Sequence, residues 1–156
     1  MKDMKTTTIF IALLLSVFIL GSCDDGGIQS QEDARLIEDY IAENELDAES
    51  TASGLYYVID EPGNDEHPEI GDMIDIVYTG FFLNGEIFDS SNGVAVPVPL
   101  NTVIQGWREG IPLFGKGGKG MLLIPSHLAY GPTGTQSGSI RPNTVLLFDI
   151  ELDDFE

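Results

Sequence analysis

The feature that most constrains the fold of this chain is a series of short apolar runs with a two-residue period. In Met73–Thr79 and in Thr144–Leu152 alternate residues are apolar, and the positions between them include Asp, Glu and Thr. This alternation is typical of strands with one buried face. Asn84-Gly85 joins two further apolar runs and predicts a hairpin, because both residue types tolerate positive φ. No regular alternation of strands with helices accompanies these runs, which disfavours a parallel doubly wound sheet.

Two more strands, one mid-chain helix and one long loop complete the main domain. They are strands Leu55–Ile59 and Met121–Ile124, a helix from about Val103 to Ile111 capped by Asn101-Thr102, and a Gly- and Ser-rich loop over Gly131–Asn143. The sequence therefore predicts an α+β fold in which an antiparallel β-sheet curls around one short α-helix.

A second, shorter helix is predicted before the main domain. Ile37, Tyr40 and Ile41 share one face of a helix over about Gln31–Asn44, and Ser30 is a suitable N-cap. This short N-terminal helix packs either on its own domain, which we favour, or on a partner.

The first residues are typical of an export signal rather than of a folded domain. Lys2 and Lys5 precede Ile9–Leu20, an apolar run of 12 residues that is too short to span a bilayer comfortably. The only cysteine, Cys23, follows small residues, as in a bacterial lipobox in which the thiol is acylated. We expect a signal peptide at 1–22, a lipidated flexible tether at 23–30, a helical extension at 31–50 and the main domain at 51–156. The mature chain would then be a membrane-anchored lipoprotein outside the cytoplasm.

The charge of the chain excludes one class of partner. Asp and Glu number 26 against 7 Lys and Arg, which disfavours nucleic-acid binding because phosphate contacts need a cationic surplus. The acidic residues are interpreted as a solvated surface.

Several other kinds of site are disfavoured by the residue pattern. His67 and His127 lack an accompanying nucleophile motif, and Gly115–Gly120 lacks the order of a phosphate-binding loop. The acids of Asp65–Asp72 depart from calcium-loop spacing. We therefore expect no metal and no cofactor.

A set of aromatic motifs carries the functional signal. In chain order they are Tyr78-Thr79-Gly80, Phe88-Asp89-Ser90-Ser91, Val103-Ile104-Gln105-Gly106-Trp107, Ala129-Tyr130-Gly131 and Phe148-Asp149. Several rings with one carboxylate suit a concave apolar pocket that has few polar groups. The whole pattern, over roughly the last two thirds of the chain, resembles the FKBP-type peptidyl-prolyl cis-trans isomerases.

This resemblance implies a fold, an activity and a set of site residues. The fold is the FKBP-like curled sheet, and the activity is isomerisation of X-Pro bonds in proline-containing polypeptides during folding of exported proteins. Macrolide inhibitors of the family are possible further ligands. The catalytic residues implied are Tyr78, Asp89, Tyr130 and Phe148, and the substrate-binding residues are Phe88, Val103, Ile104, Trp107 and Ile140. The polar groups among them are the Asp89 carboxylate, the Tyr130 hydroxyl and the Ile104 backbone N–H.

One stretch departs from the family pattern. Many members carry an aromatic residue between the second and third motifs, whereas Asn92–Leu100 contains none. Val96 or Val98 would stand in its place and would make the pocket shallower on that side. The alternative function is therefore a non-catalytic module, such as a chaperone, that holds proline-containing segments.

Overall fold

The computed structural model describes residues 25–156, so the predicted signal peptide and Cys23 lie outside the described residues. Within the described range, no helix combines the length and the apolar character needed to cross a membrane. The helices and strands follow in chain order: α1 (Asp25–Glu43), β1 (Glu49–Ser50), β2 (Tyr56–Glu61), β3 (Met73–Phe81), β4 (Ile87–Ser90), β5 (Val96–Pro99), α2 (Gln105–Gly110), β6 (Lys119–Ile124) and β7 (Leu146–Phe155).

The strands form one antiparallel sheet in the order β1-β2-β6-β7-β3-β4, with β5 also paired to β3. The first half of β3 pairs with β5 and its second half with β4. The long strands β3 and β7 pair along most of their length, from Ile74 opposite Phe155 to Phe81 opposite Leu147. The predicted architecture, an antiparallel sheet with one short mid-chain helix and an N-terminal helix, is confirmed.

The sheet has an apolar cluster on each face. Inward side chains of β3 and β7, including Ile76 and Phe148, pack with α2 and its Trp107 in the larger cluster. On the opposite face, Ile37 of α1 packs with Leu147 and Val58 in a smaller cluster. Leu147 and Phe148 are consecutive residues and point to opposite faces of β7. Burial of both faces explains why both are apolar.

Helix α1 differs from its prediction at its start. It begins at Asp25, about six residues before Gln31, so most of the stretch expected to be a flexible tether is helical. Ser30 is not the N-cap, because its hydroxyl donates a hydrogen bond to the Gly26 carbonyl one turn earlier (2.9 Å). The apolar face of α1 packs on its own sheet, as favoured from the sequence.

Two local predictions are also wrong in detail. Helix α2 starts after Ile104, which provides no side-chain cap, and the Thr102 hydroxyl instead donates to the Pro99 carbonyl (2.8 Å). In the hairpin between β3 and β4 only Gly85 has positive φ, while the Asn84 side chain accepts the Glu86 N–H (3.0 Å). An Asx-type hydrogen bond therefore stabilises a longer turn than a two-residue one.

Candidate active site

A cavity of about 300 Å³ opens between the concave face of the sheet, helix α2 and the loop that follows β6. It is lined mostly by rings and aliphatic side chains with one carboxylate: Tyr78, Phe88, Asp89, Val98, Thr102, Val103, Ile104, Trp107, Tyr130 and Phe148. Three other grooves, of about 330, 410 and 530 Å³, are larger. None of the three is lined by more than one Phe, Tyr or Trp, so among these grooves of the described residues only the smallest has the aromatic character expected from the motifs.

Strand register brings two of the rings together. In the β3–β7 pair Tyr78 lies opposite Ile150, and Gly80 lies opposite Phe148. Because alternate residues of a strand point to the same face, Tyr78 and Phe148 both project from the concave face. Their ring centroids are 6.4 Å apart.

Trp107 of α2 forms the floor between these two rings. Its ring centroid lies 5.1 Å from that of Tyr78 and 5.1 Å from that of Phe148, in both cases edge to face. Phe88 completes the set, because its centroid is 5.5 Å from that of Phe148 with the planes nearly perpendicular. Such edge-to-face pairs are each worth about 0.5–1.5 kcal/mol beyond the area that they bury. The cavity floor is thus a rigid aromatic surface.

The floor is also largely shielded from solvent. Trp107 is 5% exposed, and its indole Nε1 is a buried side-chain polar atom with no hydrogen-bond partner among the described residues. An unsatisfied buried donor costs about 1–3 kcal/mol. The site tolerates this cost while keeping its floor apolar.

Asp89 places one carboxylate at the edge of the cavity. Its Oδ2 accepts a hydrogen bond from the Tyr78 hydroxyl (2.8 Å), and its Oδ1 accepts one from the Ser90 N–H (2.9 Å). Burial, followed by the hydrogen bond to Asp89, raises the pKa of Tyr78 to about 12. The Tyr78 phenol therefore stays neutral at neutral pH, and the orientation of the Asp89 side chain is fixed from two sides.

Two donors at the cavity are left for a ligand. Among the described residues, neither the Ile104 backbone N–H nor the Tyr130 hydroxyl makes a hydrogen bond to another residue. The Ile104 carbonyl, in contrast, accepts the N–H groups of Trp107 and Arg108 at the start of α2 (3.1 and 3.2 Å). Tyr130 is 40% exposed, so its ring stands at the mouth of the cavity.

Eight of the nine residues assigned to the pocket from the sequence line this cavity, and Ile140 does not. Ile140 is buried in the adjoining apolar cluster. Its backbone is tied to Thr135, whose N–H donates to the Ile140 carbonyl (2.9 Å) and whose hydroxyl accepts the Ile140 N–H (3.0 Å). Ile140 therefore packs within the loop that follows Tyr130 and does not line the cavity as it stands.

Two lining residues were not assigned from the sequence. Val98 of β5 lines the cavity and Val96 does not. Of the two valines considered from the sequence, Val98 is therefore the one in the cavity wall. Thr102 was considered only as a helix cap. Its position in the wall results from the tight turn Leu100–Thr102, which the sequence pattern did not indicate.

Gly80, the last residue of the first motif, also shapes the site, although the sequence pattern assigned it no function. A Cβ at this position would lie 2.6 Å from Phe88 Cζ and 2.8 Å from Phe148 Cε1. Contacts this short would force the two rings to shift, so the glycine allows both rings to lie over the strand where they are. A glycine between two inward aromatic positions is the signal that could have identified it.

The other candidate groups lie away from this cavity. A ring nitrogen of His67 is 3.0 Å from the Pro112 carbonyl, and one of His127 is 3.0 Å from the Ser53 carbonyl, both structural contacts. Within residues 25–156, no group of three or more His, Cys, Asp or Glu side chains is placed to hold a metal ion.

Comparison with known proteins agrees with this geometry. The family described as FKBP-type peptidyl-prolyl cis-trans isomerase matches residues 64–153, which include every residue that lines the cavity. The FKBP-type peptidyl-prolyl cis-trans isomerase FkpA of Aeromonas hydrophila is 43% identical over 119 residues, or 74% of this chain and 44% of that protein. The chain spans less than half the length of the curated relatives that it matches.

Two solved structures share the fold. The crystal structure of FkpA from Escherichia coli aligns with a TM-score of 0.72 and 34% identity, covering 84% of this chain and 62% of that chain. A peptidyl-prolyl cis-trans isomerase from Pseudomonas syringae pv. tomato aligns with a TM-score of 0.72 and 28% identity, covering 83% and 95%. With the family match extending over more than half of the chain, this protein belongs to the FKBP-type peptidyl-prolyl cis-trans isomerase family.

Proposed function

We propose that this chain catalyses cis–trans isomerisation of X-Pro peptide bonds in polypeptides, with no metal or cofactor. The observation that carries the proposal is the aromatic cavity itself: Trp107, Tyr78, Phe88 and Phe148 enclose an apolar floor, and Asp89 stands at its edge. A cavity of about 300 Å³ suits one proline ring and its amide better than a large cofactor.

The chemistry requires rotation about one bond and no bond cleavage. The barrier to rotation of a peptide bond is about 18–20 kcal/mol because resonance gives the C–N bond double-bond character. X-Pro isomers differ by only about 0.5–1 kcal/mol in free energy, yet they exchange over tens to hundreds of seconds. A catalyst therefore has to bind the twisted amide better than either planar isomer.

The residues of the cavity are suited to that preference. The planar amide is the more polar form, so an apolar cavity that excludes water disfavours it relative to the twisted form. The edge-to-face rings hold the proline side while the Ile104 N–H and the Tyr130 hydroxyl donate to the carbonyls of the flanking chain. Asp89, which is held by Tyr78, acts as an orienting acceptor and not as a base, because no proton leaves the substrate.

A proline-limited refolding assay tests the proposal. The purified chain should accelerate the slow refolding phase, and the acceleration should survive a chelator. Asp89→Leu should lower kcat/KM by about fivefold, the factor for one lost hydrogen bond of about 1 kcal/mol. Ile87→Ala on the same strand is the matched control, because Ile87 is 63% exposed and lies outside the cavity.

The same samples distinguish the alternative function. Trp107 is the only tryptophan of the chain, so its fluorescence reports binding of a proline-containing peptide to the cavity. Binding without acceleration of refolding would favour a non-catalytic holding module. A folded Asp89→Leu variant with full activity would contradict the role assigned to Asp89.

We also propose that the chain is exported and anchored as a lipoprotein through Cys23. The support is the sequence alone: the positive residues Lys2 and Lys5, the apolar run Ile9–Leu20, and the cysteine after small residues. Expression of the full chain in a bacterium, with mass spectrometry of the mature N-terminus, should find acylated Cys23. Cys23→Ser should move the chain out of the membrane fraction, and cleavage at another position would contradict the anchor.

A further inference from the structure

Asp33 of α1 is a buried carboxylate outside the segment that matches the family. Its residue is 0% exposed, and among the described residues it has no ion-pair partner. A buried polar side chain is costly unless hydrogen bonds satisfy it. The smaller apolar cluster around Ile37 already attaches α1 to the sheet, so helix packing alone does not require a carboxylate at this position.

The hydrogen bonds of Asp33 reach the segment that follows β6. Its Oδ2 accepts both the backbone N–H (2.8 Å) and the hydroxyl (2.6 Å) of Ser126, and its Oδ1 accepts the Gln29 amide (2.7 Å). Ser126 is itself 1% exposed. Ser126 begins the single helical turn Ser126–Leu128, and the preceding Pro125 supplies no side-chain cap. Asp33 thus caps this turn from another element, 93 residues away in sequence.

The capped turn leads directly to the cavity. Leu128 anchors its end in the main apolar cluster, and Tyr130 follows two residues later at the mouth of the cavity. Between them Ala129 has φ −115° and ψ −114°, an uncommon conformation that directs the chain towards Tyr130. The position of Tyr130 therefore depends on how the turn is held at its two ends, by Asp33 and by Leu128.

We propose that Asp33 is a positioning residue for Tyr130, so that α1 contributes to the isomerase site from outside the family-matched segment. The inference rests on the proposed isomerase function. A displacement of about 1 Å at a group that orients the substrate can cost up to about a hundredfold in rate. An asparagine at this position keeps one oxygen for the two Ser126 donors, but its neutral oxygen accepts them more weakly, and its NH2 group stands where the second carboxylate oxygen accepts the Gln29 amide.

The first arm of the test compares two substitutions on the same helix. Asp33→Asn should lower kcat/KM by up to about fivefold, the factor for one lost hydrogen bond, and should increase amide hydrogen exchange at Ala129–Gly131. Asp39→Asn is the matched control, because Asp39 is exposed and pairs only with Arg35 on the helix surface. The control should leave both readouts unchanged.

The second arm asks whether Asp33 acts through Tyr130. In a Tyr130→Ala background, Asp33→Asn should change kcat/KM by less than about twofold, because the positioned group is gone. Full additivity of the two effects would overturn the proposal, since a general loss of stability would reduce activity in either background. Thermal midpoints of all variants ensure that each is assayed folded.

The remaining outcomes also support or overturn the role of Asp33. If Asp33→Asn does not fold, Ser126→Ala removes only the 2.6 Å hydroxyl hydrogen bond and should show the same pattern with a smaller effect. If neither variant folds, or if folded variants keep wild-type exchange at Ala129–Gly131, the role is purely structural and the proposal is overturned. If the wild-type chain binds a proline peptide without catalysis, only the isomerase function is refuted. The effects of Asp33→Asn with and without Tyr130→Ala are then compared as Kd values for the peptide, measured by Trp107 fluorescence.

Discussion

At the scale of single residues, the Tyr78 hydroxyl is kept protonated by its surroundings and holds the one carboxyl side chain of the cavity. The Tyr78 hydroxyl donates to Asp89 at 2.8 Å, and burial and this hydrogen bond raise the pKa of Tyr78 to about 12. A phenol that keeps its proton can go on donating a hydrogen bond to Asp89. This pairing keeps Asp89 in one orientation at the rim of an otherwise apolar cavity.

The raised pKa of Tyr78 predicts a loss of stability in alkaline solution. Above the ordinary value of 10, an unfolded chain releases the tyrosyl proton while the folded chain retains it up to about 12. The stabilisation is therefore complete below pH 10 and is lost as the pH rises through this window. We expect the thermal midpoint of the wild type to fall more steeply between pH 10 and 12 than that of Tyr78→Phe.

The comparison of slopes controls for other groups. Tyr40, Tyr56 and Tyr57 also have pKa values above the ordinary range, through burial in the first two and through the hydrogen bond that the third donates to Glu49. They are present in both proteins, so only the difference between the slopes belongs to Tyr78. Parallel slopes for the two proteins would contradict the assignment.

At the scale of elements, the alternating pattern predicted the longer strands, whereas the short strands β1 and β5 and the contacts distant in sequence were not predicted. Periodicity located β3 and β7 because one face of each is buried on the concave side. The start of α1 was placed about six residues late, since Gly26 and Gly27 are poor helix formers. The early start accompanies the Asp33–Ser126 contact, which no local pattern indicates. The rings of the site were found as motifs. Only three-dimensional packing shows that Val98 lines the cavity and that Ile140 does not.

Attachment of α1 to the sheet predicts a large effect of one core substitution. Ile37 is fully buried between α1 and the sheet, so Ile37→Ala should lower the free energy of unfolding by about 2–5 kcal/mol. Ile28 on the same helix is 62% exposed, and Ile28→Ala is the matched control with a change within about 0.5 kcal/mol. Denaturant unfolding measures both. Equal and small effects would show that α1 does not pack on the domain in solution.

The wall formed by β5 predicts how the cavity responds to an added ring. Val98 lines the cavity, whereas Val96, two residues earlier on the same strand, is half-buried against the main apolar cluster and does not line the cavity. Val98→Phe should raise kcat/KM for X-Pro peptides with a bulky X residue, because it deepens the wall where the family pattern carries an aromatic side chain. Val96→Phe is the control and should instead cost about 1–3 kcal/mol of stability through overpacking, without a gain in activity. A gain from Val96→Phe, or none from a folded Val98→Phe, would refute this account of the wall.

At the scale of the whole molecule, charge opposes folding more than it supports it. The formal net charge is −19, and residues 25–156 contain only five Lys and Arg. Three of these form the exposed ion pairs Arg35–Glu32, Arg35–Asp39, Lys116–Asp154 and Lys119–Glu151. Exposed pairs contribute about 0–1 kcal/mol each, so they do not offset the repulsion among the many remaining carboxylates. Self-repulsion of this kind destabilises the compact state.

This balance predicts that salt stabilises the chain. Raising the ionic strength from about 0.01 M to about 0.15 M shortens the screening length from about 30 Å to about 8 Å. Repulsion spread over the surface should weaken more than the four short ion pairs, whose N–O distances are 2.6–3.2 Å. We expect the thermal midpoint to rise by about 2–4 °C, which corresponds to about 1 kcal/mol for a chain of this length. An uncharged solute at equal osmolality is the control, and a midpoint that falls with salt would mean that the ion pairs outweigh the repulsion.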